Sequence, residues 1–303
     1  MVLTPEQQAE IDSQRSSSAR THRVCSSGME RMLYIAQPVL DHGFVRVVDY
    51  MGDDSAVVQA ARVSYGTGTK KTRSDAALIR FLMRHRHTTP FEMCEIKLHV
   101  KLPIFVARQW IRHRTASVNE YSARYSKLDR EFYVPASDDL AAQSGSSGRQ
   151  GRGHTLDARE AAHVLETMKH DNALAYGHYE EMLSTHGKSG VAREIARICL
   201  PSSIYTQWYW KIDLHNLLHF IKLRSDRHAQ LEIQMYAKAL GKLVAAWVPT
   251  VWKAFEDYGL NAASLSHAQI QLVKRKLAGE SVDMEESGLT AREWREFRDV
   301  FEL

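Results

Sequence analysis

Alternating apolar and polar positions predict a sheet in the middle of the chain. Residues 94–101 alternate with a period of two, as expected for a strand that buries one face. Runs rich in β-branched and aromatic side chains, bounded by turn residues, predict further strands at 44–50 and 204–212 and a short one at 131–134. These strands are the expected framework of the protein.

Apolar residues that recur at helical spacing predict helices between and after these strands. The predicted segments are 56–63, 74–85, 103–111, 156–186, 191–200, 214–223 and 229–247. Pro90 biases Thr89 away from helical geometry, so residues 85–92 are expected to form a turn that gathers polar side chains. We therefore expect an α/β protein with mixed helices and a central antiparallel or mixed sheet, against which long helices pack.

Three segments lack this regular pattern. Residues 1–30 mix Gln, Ser, Arg and acids with little periodic apolar content, which predicts a mobile N-terminal extension. Residues 137–153 are rich in Ser, Gly and Gln, which predicts a flexible loop rather than a domain linker. The charged tail over 259–303 has two modest amphipathic stretches and is expected to be a C-terminal helical extension. The main domain is then expected over 31–258.

Composition narrows the class of protein. The chain has 303 residues, 44% of them hydrophobic, which is ample for a core. A net charge of +4 and a pI near 8.9 suit anionic small molecules but fall short of a dedicated nucleic-acid binder. Three widely spaced cysteines predict neither a disulfide framework nor a zinc site, and the spacing of His85 and His87 matches no common metal pattern. No segment reads as membrane-spanning or as a secretory signal, so we expect a soluble, cytoplasmic protein without a metal.

The most unusual stretch of the sequence runs from Arg108 to Ser126. It holds four arginines and a histidine, whereas Glu120 is its only carboxylate. Arginine offers a planar fork that matches phosphate or carboxylate oxygens, and the hydroxyl and amide side chains that follow Arg114 can complete such a cradle. The stretch therefore predicts a pocket for phosphorylated ligands. A solvated basic turn would explain the arginines alone, but it would not explain the polar half.

Further arginines fall in otherwise apolar helices, where an unpaired guanidinium is costly. No acid lies one helical turn from Arg197, so an external anion and a distant carboxylate are equally good partners for it. Arg193 can pair with Glu194, and Arg224 with Asp226. The spacing alone leaves these alternatives open.

The order of residues after Arg108 resembles the signature of the flavin-dependent thymidylate synthases. Ten positions of that signature stand within fifteen residues: Arg112, His113, Arg114, Ser117, Asn119, Glu120, Ser122, Arg124, Tyr125 and Ser126. Three other segments resemble the same family: His87-x-Thr89-Pro90-Phe91-Glu92, Ala196-Arg197-x-x-Leu200-Pro201, and Leu223-Arg224 with His228-Ala229-Gln230-x-Glu232-Ile233. The resemblance covers roughly residues 43 to 247.

This resemblance implies reductive methylation of dUMP to dTMP in de novo thymidylate synthesis. It implies FAD as hydride carrier, NADPH as reductant, 5,10-methylenetetrahydrofolate as carbon donor, and a homotetramer that binds neither nucleic acid nor membrane. The dUMP residues it assigns are Gln109, Trp110, Ile111, Arg112, Glu120, Tyr121, Ser122, Ala123, Arg124, Arg197 and Arg224, with Arg224 as the catalytic residue. The FAD residues are Ser64, Thr89, Glu92, Arg112, His113, Arg114, Glu120, Asp213, His215, His219 and His228, and His87 lies on the folate side.

The sequence departs from the resembled family at three of these positions. Asp213, His215 and His219 stand where family members often carry Asn-x-Arg and a further Asn. Contacts to the flavin at these positions are therefore expected to be rebuilt or weakened. An aspartate beside a flavin phosphate is unfavourable unless its main chain makes the contact.

Alternative functions and mechanisms differ in what they require. A thymidylate synthase that uses a cysteine needs a reactive thiolate, but Cys199 lies between Ile198 and Leu200, so core packing is its expected role. The resemblance implies instead that Arg224 stabilises charge on the uracil. Arginines interleaved with aromatic residues would also suit single-stranded nucleic acid, and a helical scaffold with a vestigial site is a third possibility.

Overall fold

The computed structural model describes residues 4–63, 74–143, 152–183 and 190–301. Its helices are α1 (Pro5–Ser16), α2 (Ser27–Met32), α3 (Asp54–Val63), α4 (Asp75–Arg84), α5 (Thr89–Glu92), α6 (Ile104–Trp110), α7 (Ala158–Leu183), α8 (Arg193–Ala196), α9 (Leu214–Arg224), α10 (Leu231–Trp247), α11 (Pro249–Phe255), α12 (His267–Leu277) and α13 (Ala291–Phe301). Its strands are β1 (Gln37–Val39), β2 (Gly43–Met51), β3 (Glu95–Pro103), β4 (Ser117–Glu120), β5 (Ala141–Gln143), β6 (Arg152–Thr155) and β7 (Tyr205–Asp213).

A five-stranded antiparallel sheet, in the order β1-β2-β3-β7-β4, organises the larger unit, which spans Met1–Phe255. β3 is the central strand, and Leu98 on it pairs with Val47 of β2 and Trp210 of β7. The apolar side chains of β3 that alternate in the sequence, such as Ile96 and Val100, are buried on one face. The predicted α/β class and antiparallel sheet are confirmed.

Aromatic side chains fill the core between this sheet and the helices that cover it. The ring of Trp110 from α6 lies 5.1 Å from Trp210, 5.8 Å from Trp208 and 4.6 Å from Phe220 of α9. Tyr236 of α10 adds a further edge contact at 5.7 Å. Closely packed rings of this size hold few rotamers, so the ends of α6 and α9 rest on a rigid base.

The first thirty residues differ from the mobile extension that the sequence predicts. Ile11 of α1 is buried, and Glu10 lies 3.4 Å from the buried guanidinium of Arg46 in β2. The hydroxyl of Ser26 donates to the main-chain carbonyl of Trp247 at 2.8 Å. The helix α1 buries a single side chain, which is too weak a periodic signal to be recognised in the sequence.

Several element boundaries also differ from the predictions. The helix expected from Pro103 to 111 begins one residue later, at Ile104, because Pro103 still belongs to β3 and only caps α6. It ends at Trp110, so Arg112 lies beyond the helix. The strand expected at 131–134 is reduced to one bridge between Phe132 and Ile204.

Two further segments are built differently from the expectation. The loop predicted at 137–153 contains a 3-10 turn, Ser137–Asp139, and two paired strands, β5 and β6, while residues 144–151 lie outside the described part. The helix predicted at 191–200 is the single turn α8 followed by a 3-10 turn, Arg197–Cys199. The turn expected at Pro90 contains the short helix α5.

A second unit spans Glu256–Leu303. It begins with a π-helical turn, Glu256–Leu260, and contains α12 and α13. Leu272, Val282 and Phe297 form its buried apolar cluster. Across the described residues of both units, no helix is long and apolar enough to cross a membrane.

Candidate active site

The first group of candidate side chains lies where α6 ends and α9 ends. Arg224, in the last turn of α9, donates through Nη2 to the main-chain carbonyl of Gln109 at 3.2 Å. The ring of His113, two residues past the α6 cap, lies 5.7 Å from that of His219. We call Gln109, His113 and Arg224 the inner cluster, because His113 and Arg224 both contact the ring of Phe220 and the carbonyl of Gln109 accepts the hydrogen bond of Arg224.

Each residue of the inner cluster holds a buried polar atom without a hydrogen-bond partner among the described residues. The three atoms are Gln109 Oε1, His113 Nε2 and Arg224 Nε. An unpaired buried polar atom costs about 1–3 kcal/mol, and native proteins carry few of them. One acceptor, one donor and one imidazole nitrogen at neighbouring positions therefore fit a ligand rich in polar atoms.

The electrostatics of the inner cluster favour an anion. Burial lowers the pKa of His113, and the positive charges of His219 and Arg224 lower it further, whereas Asp213 raises it. Burial, with His215 and Lys222, also lowers the pKa of His219. Burial lowers the pKa of Arg224, but an arginine remains charged at neutral pH. The lowered pKa keeps His113 neutral at pH 7, and Arg224 has no carboxylate partner among the described residues, so an anionic ligand would supply its counterion.

A second group lies on β4 and in the loop that follows it. Thr206 Oγ1 donates to Glu120 Oε1 at 2.8 Å, and the Arg124 Nε lies 3.0 Å from Glu194 Oε2. The Arg193 guanidinium donates to the carbonyl of Tyr125 at 3.0 Å, which ties α8 to the signature loop. We call Glu120, Ser122, Arg124 and Arg197, which begins the 3-10 turn after α8, the outer cluster. Ser122 is half-buried and the other three residues are exposed.

Three expectations about the pairing and burial of arginines are wrong. Glu194 pairs with Arg124 and not with Arg193, while Asp226 binds His228 at 3.0 Å and leaves Arg224 to Gln109. Arg197 is exposed, because the 3-10 turn that holds it lies on the surface. Its charge therefore needs no buried partner.

Cys199 is likewise exposed, so the predicted role in core packing is wrong. Its thiol lies 3.2 Å from the carbonyl of Ala196, and the apolar neighbours Ile198 and Leu200 do not enclose it. Ile198 is 74% exposed, because a tight 3-10 turn directs successive side chains outward instead of placing them on one buried face.

Two residues predicted to bind dUMP are turned into the core. Trp110 is fully buried in the aromatic base, and Ala123 is 7% exposed. Their side chains cannot reach a ligand on the surface of this unit, although the main chain of the same segments can. Tyr121 is exposed, and its hydroxyl donates to the carbonyl of Lys127 at 2.9 Å. Ile111 caps α6 and is also exposed.

The residues predicted for the flavin and folate are spread over several elements. Thr89 and Glu92 belong to α5, which packs against α9, the helix that carries His215 and His219. Asp213 caps α9, because its carboxylate accepts from the main chain of Asn216 at 2.9 Å and from its side-chain amide at 2.8 Å. Both carboxylate oxygens of Asp213 already accept hydrogen bonds, which reduces the expected repulsion between Asp213 and a flavin phosphate.

The remaining predicted residues are placed more loosely. His87 is exposed and its ring lies 5.8 Å from that of Phe81. Arg112 and Arg114 are exposed, and in the described part of the chain neither has an acidic partner. Ser64 lies outside the described residues. Among those residues, no group of three His, Cys, Asp or Glu side chains is placed to hold a metal.

Sequence reasoning missed two residues that the geometry brings to the site. Thr206 of β7 holds Glu120, and nothing in its sequence context marks it. Phe220 contacts both His113 and Arg224, but its apolar helical spacing indicates only a core residue. The signal that exists for Phe220 is its position four residues before Arg224, one helical turn away.

Comparison with known proteins matches residues 46–250 to the family described as thymidylate synthase complementing protein. The flavin-dependent thymidylate synthase of Ruegeria pomeroyi is 64% identical to this chain over 300 residues, and the match covers 99% of each chain. The flavin-dependent thymidylate synthase of Gluconobacter oxydans is 62% identical over 302 residues, and the match covers 100% of this chain and 99% of that one. A crystal structure of the UMP/dUMP methylase PolB from Streptomyces cacaoi bound with 5-Br UMP has a TM-score of 0.65 and 36% identity, covering 74% of this chain and 98% of that one. The same methylase bound with 5-Br dUMP is 34% identical with a TM-score of 0.65, covering 73% of this chain and 98% of its own.

Proposed function

Because this chain belongs to the thymidylate synthase complementing protein family, the flavin-dependent thymidylate synthases, we propose that it methylates dUMP to dTMP. The observation that carries this proposal is the pair of unsatisfied atoms Gln109 Oε1 and Arg224 Nε. They offer one acceptor and one donor close together, which complements the N3–H and a carbonyl oxygen of uracil. The solved methylase bound to brominated UMP and dUMP supports a pyrimidine nucleotide as the substrate.

The outer cluster has the chemistry that the phosphate and ribose require. Arg124 and Arg197 present guanidinium groups, and Ser122 adds a hydroxyl, so that a phosphate would meet several donors. The Arg124–Glu194 pair must open for this, which costs little because both side chains are about half exposed. Glu120, held by Thr206, supplies an acceptor for a ribose hydroxyl.

The flavin side of the site fits FAD. His113, Arg112 and Arg114, with His215 and His219 of α9, would hold its phosphates and ring, and the unpaired His113 Nε2 offers a hydrogen bond to it. When bound, FAD would supply the hydride, after reduction by NADPH, and 5,10-methylenetetrahydrofolate would supply the carbon near His87. The exposed Arg112 and Arg114 lack acidic partners in the described part of the chain, so an anionic cofactor would neutralise them.

Arg224 is the proposed catalytic residue. A nucleophilic carbon 5 requires that negative charge develop on the uracil carbonyl, and a guanidinium already fixed beside it stabilises that charge. Burial strengthens the effect, because the interaction is screened less than in water. The rigid aromatic base and the Gln109 carbonyl hold the guanidinium in place before the substrate arrives.

The assembly proposed for this enzyme is a homotetramer with sites shared between subunits. The outer cluster is bordered by exposed apolar side chains, among them Tyr125 at 76%, Ile198 at 74% and Ile195 at 55%. Such a patch suits burial against another copy of the chain. The three free cysteines suit a reducing cytosol.

The test of this function is tritium release from dUMP labelled at carbon 5, with FAD, NADPH and methylenetetrahydrofolate each omitted in turn. We expect release that requires all three. Arg224→Ala should lose about 100- to 1000-fold in turnover, the loss typical for one oxyanion-stabilising donor. Cys199→Ala should stay active. Tritium release without flavin would contradict the proposed mechanism. Loss of activity in Cys199→Ala while Arg224→Ala stays active would contradict it as well.

A further inference from the structure

We propose that Phe220 is a positioning residue that holds the nucleotide-side Arg224 and the flavin-side His113 on one ring, so that its loss weakens both ligands. This inference rests on the proposed function. Phe220 lies on α9 and is fully buried. It touches neither ligand in this proposal and acts only through the two side chains that do.

The contacts of Phe220 join the two halves of the inner cluster. The Arg224 guanidinium carbon lies 5.9 Å from the centre of the Phe220 ring, within the range of a cation–π contact. The His113 ring meets the same ring edge to face, at 5.5 Å and an interplanar angle of 85°. One phenyl ring thus supports the residue that would bind uracil and a residue that would bind the flavin.

Hydrogen bonds do little to fix these two side chains. Within the described residues, the guanidinium of Arg224 makes one hydrogen bond, to the carbonyl of Gln109, and its Nε has none. His113 Nε2 also has no partner there. Their positions before ligands bind are therefore set by packing, and Phe220 is the shared surface on which they pack.

The ring itself is held firmly. Phe220 lies 4.6 Å from Trp110 and 5.3 Å from Trp210, so the aromatic core fixes its position. A substitution that removes the ring leaves space into which Arg224 and His113 can shift. Small displacements of groups that must meet a ligand reduce affinity and turnover together.

The test compares Phe220→Leu with Phe255→Leu, the same change at another buried phenylalanine, whose ring packs on Trp252 at 5.6 Å. Flavin fluorescence gives the dissociation constant of FAD, and calorimetry gives that of dUMP. The visible spectrum of bound flavin and kcat are recorded as well. We expect Phe220→Leu to weaken the binding of FAD and of dUMP by about 5- to 10-fold each, because aromatic and cation–π contacts of this size are lost. The substitution should also shift the flavin spectrum. Phe255→Leu should lower the melting temperature and leave both constants unchanged.

A double variant separates positioning from general loosening. In a protein that already carries Arg224→Ala, Phe220→Leu should reduce the affinity for dUMP little further. It should still weaken FAD binding by the same factor as in the parent protein. If Phe220→Leu does not fold, Phe220→Met preserves the volume and removes the ring. Equal effects of the 220 and 255 variants, or a change in only one ligand, would overturn the inference. Failure of the parent protein to bind FAD and dUMP would instead reject the proposed function.

Discussion

The inner and outer clusters are positioned by opposite physical means. His113 and Arg224 rest on the buried ring of Phe220, and together with Gln109 they leave polar atoms unpaired among the described residues. Arg124 and Arg197 lie on the surface, where Arg124 is held by an ion pair with Glu194. Packing fixes the first cluster before a ligand arrives, whereas the second must exchange partners. The residues that would perform the chemistry are therefore preorganised, and those that would capture the phosphate are adaptable.

The strongest way to break this comparison is to ask whether one chain completes its own site. Arg224→Ala disables the inner cluster and Arg197→Ala the outer one. If each site takes its clusters from two subunits, mixing the inactive variants 1:1 under conditions that exchange subunits should restore about a quarter of the parent activity, by random pairing in a closed oligomer. The measurement is tritium release at low dUMP concentration.

The matched control for this mixing combines Arg224→Ala with Gln109→Ala, which damage the same cluster. That mixture should recover nothing, because every site then contains a defective inner cluster. Absence of recovery in the first mixture as well, with subunit exchange shown by mass spectrometry, would mean that each subunit holds a complete site.

A smaller effect should appear when the ion pair of the outer cluster is removed. Glu194→Gln frees Arg124 for a phosphate and should tighten dUMP by about 2- to 5-fold at low salt, because exposed pairs contribute up to about 1 kcal/mol. The gain should vanish at high ionic strength. Calorimetry with dUMP at two salt concentrations measures it.

The control is Glu95→Gln, which breaks a comparable exposed pair with Lys211 at 2.9 Å, outside both clusters. It should leave dUMP affinity unchanged at either salt concentration. Weaker binding in Glu194→Gln would show that Glu194 assists the nucleotide and does not compete with it.

An effect of pH on stability is expected from a histidine outside both clusters. Burial, with the charge of Arg46, lowers the pKa of His99 to about 4, while its hydrogen bond to Gln207 acts in the opposite direction. The unfolded chain takes up a proton near pH 6.5, so the stabilising effect of keeping His99 neutral is present above that pH and is lost as the pH falls towards 4.

Thermal unfolding between pH 7 and pH 4.5 tests this linkage. The melting temperature should fall less steeply with pH in His99→Gln than in the parent protein. Parallel pH profiles would show that His99 is not linked to folding. His113→Gln provides the comparison with a histidine of the inner cluster.

The central strand could be predicted from the sequence because its signal is local. The alternation over 94–100 appears in β3, where the apolar residues are buried, but Lys101 is buried as well and ends the pattern. The stretch after Arg108 stays a predicted ligand-binding stretch, in which Arg112 and Arg114 are exposed and have no acidic partner among the described residues. Which residues of this stretch point into the core could not be predicted in the same way. Trp110 adjoins polar residues in sequence, but the phase of α6 turns it into the core.

Contacts between distant segments account for the other errors. The pairing of Arg124 with Glu194 joins residues seventy positions apart, while the sequence offered only the neighbour Arg193. The apolar neighbours of Cys199 predict a buried thiol, but the 3-10 turn Arg197–Cys199 exposes Ile198 and Cys199. The N-terminal helix α1 was missed since one buried side chain, Ile11, makes no period.

The position of β4 has a consequence for the behaviour of the isolated chain. β4 is the outermost strand of the sheet, pairs on one side with β7, and is exposed along its whole length. An uncovered sheet edge beside apolar side chains is a template for unwanted strand addition. In the proposed homotetramer another copy of the chain would cover this edge, and assembly would then also protect the chain from aggregation.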